Sequence, residues 1–144
     1  MAALRQKADM GTAMMILFAA TLITGFTLHL KKHGILIEPR YLIKIIHWLC
    51  GFAMCLIAFV HWRQFGKALT AIRHKVKWFY VSTSLLKVVL VLTLLTGAVK
   101  LLSPVKIPNL GLWHYAFGIA TGVTTIIHLV RGIPTWRRIK RIKN

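Results

Sequence analysis

The sequence predicts an all-α protein, an integral membrane four-helix bundle built from two repeated helix hairpins. Three observations predict it. Four apolar runs, each about twenty residues long, cover roughly 11–30, 41–62, 79–102 and 110–131. Only two residues of the 144 are acidic, Asp9 and Glu38, and no soluble domain of useful size fits in what the apolar runs leave. Segments of the first half also recur, in order, in the second half.

The first run follows Arg5 and Lys7 and loosely resembles a secretory leader. It is long enough to span and carries no convincing cleavage site, so it reads as a retained helix. The second run, 41–62, begins after the loop KKHGILIEPR and carries His47 and His61. The third, 79–102, contains TLLTG at 93–97, which matches TLITG at 21–25 in the first run. The fourth, 110–131, reads HYAFGIATGVTTIIH where the second reads HWLCGFAMCLIAFVH. Both fit His-aromatic-x-x-Gly followed by nine residues and His. The repeat unit is a helix hairpin, and two such units are related by an axis along the membrane normal. The spans use most of the chain, so residues 1–144 form a single transmembrane domain.

A net charge of +18 raises nucleic acid as a partner, but the distribution excludes it in favour of a lipid bilayer. The basic residues gather at helix ends. Arg5 and Lys7, then Arg63, Lys67, Arg73, Lys75 and Lys77, then Arg131, Arg137, Arg138, Lys140, Arg141 and Lys143 mark one side. Lys31, Lys32, Arg40 and Lys44, with Lys100 and Lys106, mark the other. The richer side is cytoplasmic by the positive-inside rule, which puts both termini in the cytoplasm. The tail RGIPTWRRIKRIKN is expected against anionic headgroups. Trp62, Trp78, Trp113 and Trp136 fall near span ends, as interfacial aromatics do. Cys50 and Cys55 share one span and point about 140° apart, so they cannot bridge each other. They read as small buried apolar side chains. There is no C-x-x-C-H, which excludes covalent c-type haem attachment.

His47 and His61 are fourteen positions apart, as are His114 and His128. Fourteen helical residues rise about 21 Å and amount to two heptads, so both histidines of a helix share one seam position. The second and fourth spans run in the same direction. His47 is therefore expected level with His114, and His61 level with His128. Haem iron accepts an axial imidazole on each face. The expected cofactors are two haems b per chain, an outer one on His47 and His114 and an inner one on His61 and His128. Hydrogen bonding between helices is the competing account of the four histidines, and one isolated pair would favour it. A zinc or copper site lacks nearby thiolate and carboxylate ligands.

Gly51 and Gly118 each lie one turn deeper than the outer histidine, where a side chain would meet a macrocycle. Gly25 and Gly97 sit at equivalent depth in the other two helices. Close packing of small residues explains the same four glycines and is compatible with haem. Arg40 and Lys44 near the outer site, and Arg63, Lys87 and Arg131 near the inner one, are candidate propionate partners. Snorkelling competes with that role, above all at Lys87 within its span. His29 could touch a quinone or propionate, with an ordinary interfacial histidine as the alternative. Nothing is expected of His74.

The paired His-x(13)-His helices resemble the di-haem core of the cytochrome b family of respiratory quinol-oxidising complexes. The whole chain resembles small bacterial four-helix cytochrome b-like membrane proteins, through the TG-containing first helix and the H-x-x-x-G…H second helix. That resemblance implies that His47, His61, His114 and His128 are axial ligands. The chain departs from quinol-oxidising cytochrome b in having four spans and no acidic quinol-site motif.

The expected function is electron transfer across a bacterial inner membrane, between quinone and a redox protein or soluble catalytic subunit. A homodimer is a candidate assembly. The alternatives are a self-sufficient oxidoreductase of the superoxide-oxidising or ferric-reducing type, drawing anions to its basic outer loop, and a haem-free anchor or assembly protein.

Overall fold

The structure is a computed structural model. It describes the backbone of residues 2–30, 33–35, 37–71 and 77–143, and side chains within 10–30, 33–35, 37–66, 69–70, 77–132 and Pro134. Every regular element among these residues is a helix: α1 (Ala2–Leu30), α2 (Arg40–Ala71), α3 (Lys77–Leu102) and α4 (Leu110–Lys143). Four stretches are long and apolar enough to cross a membrane: Met10–Leu30, Arg40–Gly66, Lys77–Leu102 and Leu110–Gly132. They fall on the four expected runs.

Three helices outrun their apolar stretches. α1 begins at Ala2, α2 continues to Ala71, and α4 continues through Pro134 to Lys143. The extra turns are rich in Lys, Arg, Gln and Ala, which are good helix formers, so the helices continue when hydropathy falls, in α4 even past Pro134, which has no N–H to give. The side chains of Arg5, Lys7, His74, Trp136 and the basic tail lie outside the described residues.

Caps fix where two helices begin. The Glu38 carboxylate accepts the Arg40 N–H at 2.8 Å, and the Ile43 N–H reaches the Pro39 carbonyl at 3.2 Å. Helix α2 thus starts on one of the chain's two acidic residues, where the helix dipole favours negative charge. The Asn109 carbonyl accepts from the Leu112 and Trp113 N–H groups at 2.9 and 3.0 Å, opening α4. Gly34 takes a left-handed φ of 79° just beyond α1, where the Ile35 N–H returns to the Leu30 carbonyl at 3.3 Å.

The chain divides into two compact units, residues 1–68 and 69–144. In the first, α1 pairs with α2 through their loop-proximal ends, where Thr21 and Thr24 meet His47. In the second, α3 and α4 run antiparallel. Thr96 meets His114, Thr93 meets Thr121 at 2.9 Å between hydroxyls, and Thr83 meets His128. The buried residues among those described are Met54, Ser82, Thr121, Gly122 and Thr124, while Leu, Ile, Val and Phe side chains are widely exposed. Small polar groups inside and large apolar groups outside is the inverse of a water-soluble helix pair. The hydroxyls survive in apolar surroundings by donating to carbonyls one turn back, as Thr21 does to Leu17 at 2.7 Å and Thr121 to Phe117 at 2.9 Å.

Candidate functional site

The four histidines lie on α2 and α4, and His47, His114 and His128 are each met by the other helix of their own unit. In the first unit the His47 Nδ1 lies 3.0 Å from the Thr21 carbonyl and 3.1 Å from the Thr24 hydroxyl. A carbonyl oxygen can only accept, so Nδ1 carries the proton. The Thr24 hydroxyl spends its own hydrogen on the Ala20 carbonyl at 2.6 Å, which leaves its oxygen to accept from the imidazole. The second unit repeats this arrangement. The His114 Nδ1 lies 3.1 Å from the Thr93 carbonyl and 3.2 Å from the Thr96 hydroxyl, and Thr96 donates to Leu92 at 2.8 Å. In both rings the lone pair is on Nε2, the nitrogen remote from the backbone. A donated Nδ1–H is the usual device that orients a metal-binding imidazole and raises its basicity.

The glycines at 25 and 97 have a nearer neighbour than any macrocycle. A Cβ on Gly25 would lie 2.9 Å from His47 Cε1, and one on Gly97 3.0 Å from His114 Cε1. Glycine at these positions lets the imidazole lie flat on the partner helix. Gly51 is looser, with its nearest contact Thr21 Cγ2 at 3.7 Å, and a Cβ on Gly118 would meet nothing within 4 Å.

The deeper histidines are held differently. The His128 Nδ1 lies 3.1 Å from the Thr83 hydroxyl, whose hydrogen goes to the Phe79 carbonyl at 2.8 Å. His128 is therefore the donor, and its lone pair too is on Nε2. Phe79 stacks on the ring, with centroids 5.0 Å apart and planes 24° apart. Gly132 makes room for Phe79, since a Cβ there would lie 3.2 Å from its ring. The His61 ring instead faces Phe65 of its own helix at 4.6 Å, and its buried Nδ1 has no hydrogen-bond partner among the described residues.

The cations are dispersed. Arg63 lies over the Phe59 ring at 6.0 Å, and the Arg131 guanidinium donates to the Trp78 carbonyl at 3.4 Å. Both are exposed, whereas Lys87 is half-buried on α3. Lys44 sits 4.7 Å over the Trp48 ring. The His29 and His33 rings lie 5.5 Å apart at the end of α1. Cys50 and Cys55 are unbridged and half-buried rather than fully buried, and the Cys55 thiol donates to the Gly51 carbonyl at 2.8 Å. Among the described residues no three His, Cys, Asp or Glu side chains gather in a metal-holding group.

The sequence singled out the four histidines and the TLxTG segments, but it missed the roles of Thr21, Thr24, Thr83, Thr93 and Thr96 as histidine partners. The recurrence of TLITG and TLLTG was the available signal. No family model, curated protein or solved structure matches the chain.

Proposed function

We propose that this chain is a multi-pass di-haem b-type cytochrome of the bacterial inner membrane, made of two repeated hairpins, that carries electrons across the bilayer. His47 and His114 hold an outer haem, and His61 and His128 an inner one. The observation that carries this reading is the matched treatment of His47 and His114. Each gives its Nδ1–H to a backbone carbonyl and a threonine hydroxyl, and so presents Nε2 as a ligand.

Haem supplies a reversible one-electron couple, and its iron needs two axial ligands from the protein. The residues of this chain do the rest. Each α2 and α4 imidazole offers one lone pair, and while both imidazoles are bound an iron would have no open position. The fourteen-residue spacing sets the two sites about 21 Å apart, most of a hydrocarbon core about 30 Å thick. Gly51 and Gly118 keep side chains away from the macrocycle, and Arg63, Lys87 and Arg131 are cations within reach of inner propionates through long, flexible stems. Quinone is the proposed partner on one side. On the other the partner is a redox protein or a soluble catalytic subunit.

The test is a reduced-minus-oxidised optical spectrum of detergent-purified protein with a pyridine haemochrome count. Two low-spin b-type haems per chain are expected, and His47→Ala or His114→Ala removes one of them. A colourless protein made with ample haem would sink the reading and leave the histidines as contacts between helices.

A further inference from the structure

Three of the four histidines are gripped by the neighbouring helix of their own hairpin, and one is not. His47, His114 and His128 each have Nδ1 bonded to a threonine of α1 or α3. The Nδ1 of His61 is buried and has no hydrogen-bond partner among the described residues.

The register of the helices explains the difference. In the second unit Gly97 packs on His114, and Thr83, fourteen residues earlier on α3, meets His128, fourteen residues later on α4. In the first unit Gly25 packs on His47. The position fourteen residues before Gly25 is Gly11, which the same antiparallel register would bring level with His61. Where the second hairpin has a hydroxyl, the first has a hydrogen atom. A Cβ at Gly11 would meet nothing within 4 Å, so a threonine would fit there.

The ring contacts differ in the same sense. Phe79 reaches across from α3 to stack on His128, tying the imidazole to the opposite helix. Phe65 lies one turn along α2 from His61, so the contact between the two rings stays within one helix. His61 thus lacks both devices that fix a ligand's direction and basicity, and loss of such a partner typically weakens metal binding about 10–100-fold.

We infer that His61 is the exchangeable axial ligand, yielding its place on the inner iron to a small neutral diatomic molecule while His128 stays bound. The inference rests on the haem reading above. With haem bound, the exchange would be a substitution in which His61 Nε2 gives up its bond to the ferrous iron and the carbon of carbon monoxide supplies an electron pair in its place. No electron is gained or lost. His47 and His114, each doubly bonded at Nδ1, do not exchange.

The test uses the purified, haem-loaded full chain, reduced with dithionite and titrated with carbon monoxide, read as a difference spectrum beside the haemochrome count. The expected result is one reactive haem of the two. Gly11→Thr, which restores the missing hydroxyl, lowers carbon monoxide affinity at least tenfold at unchanged haem content. Gly11→Ser gives the same result with a smaller side chain, and Gly11→Ala, which adds bulk without a hydroxyl, leaves the affinity as it was. A protein that carries two haems and takes up no carbon monoxide overturns this inference alone. So does an affinity unmoved by Gly11→Thr and Gly11→Ser in protein of full haem content. A colourless protein overturns the haem reading first, and this one with it.

Discussion

A threonine hydroxyl that has already spent its hydrogen is a pure acceptor, and this chain uses that fact at His47, His114 and His128. At the outer pair a backbone carbonyl shares the load, so removing the hydroxyl does not free the ring. Thr24→Val or Thr96→Val is expected to cost about 1 kcal/mol of stability and to keep both haems, with a shifted outer midpoint potential in a redox titration. Gly25→Ala and Gly97→Ala are harsher, because the added methyl lies about 3 Å from an imidazole carbon. Each is expected to weaken outer-haem retention about 10–100-fold and spare the inner haem, as counted by pyridine haemochrome. The histidines and glycines were legible because helical period places them on a seam of a single helix. The threonine partners were not, because pairing Thr24 with His47 requires the register across the α1–α2 loop, which periodicity within one helix does not fix. Gly25 and Gly97 were read as clearance for a macrocycle for the same reason: their immediate neighbour, the imidazole, arrives from the other helix.

At the scale of elements, apolar windows located the four spans to within a residue or two at most ends and missed the length of three helices. Hydropathy reports where lipid could lie, whereas the hydrogen-bond ladder continues wherever propensity allows. The polar turns of α1, α2 and α4 are of that kind. Helix starts, by contrast, depend on particular groups. Glu38→Ala removes the carboxylate that accepts the Arg40 N–H. The expected loss is about 1 kcal/mol, measured as a lower midpoint of thermal unfolding in detergent, with the optical spectrum unchanged. That outcome would assign one of the two acidic side chains to folding and not to redox chemistry.

The described side chains expose much apolar surface, and composition alone foretold four helices long and apolar enough to cross a membrane. The expected orientation rests on the charge distribution. Reporter fusions at the N-terminus, beyond Ala71 and at the C-terminus are expected to be active only as cytoplasmic reporters, and fusions near Gly34 or Lys106 only as exported ones. The reverse pattern would invert the proposed inner and outer sites. What one sequence could not disclose is that its two halves, so alike in His, Gly and TLxTG, differ at the deeper histidine. That difference lies in Gly11 against Thr83 and Phe65 against Gly132, positions that look unremarkable until each is set beside its neighbour.

The aromatic ring beside each deep histidine stands on opposite helices in the two hairpins, on α2 as Phe65 and on α3 as Phe79. A recombinant gene that placed the α2 segment after α3 would bring Phe65 to the site of Gly132, where even a methyl crowds Phe79. The reciprocal product, α1 with α4, would have no phenylalanine at either position. Each mixed hairpin therefore gains a crowded contact or loses a ring contact, and exchanging helices between the halves is expected to loosen the seat of the deep histidine.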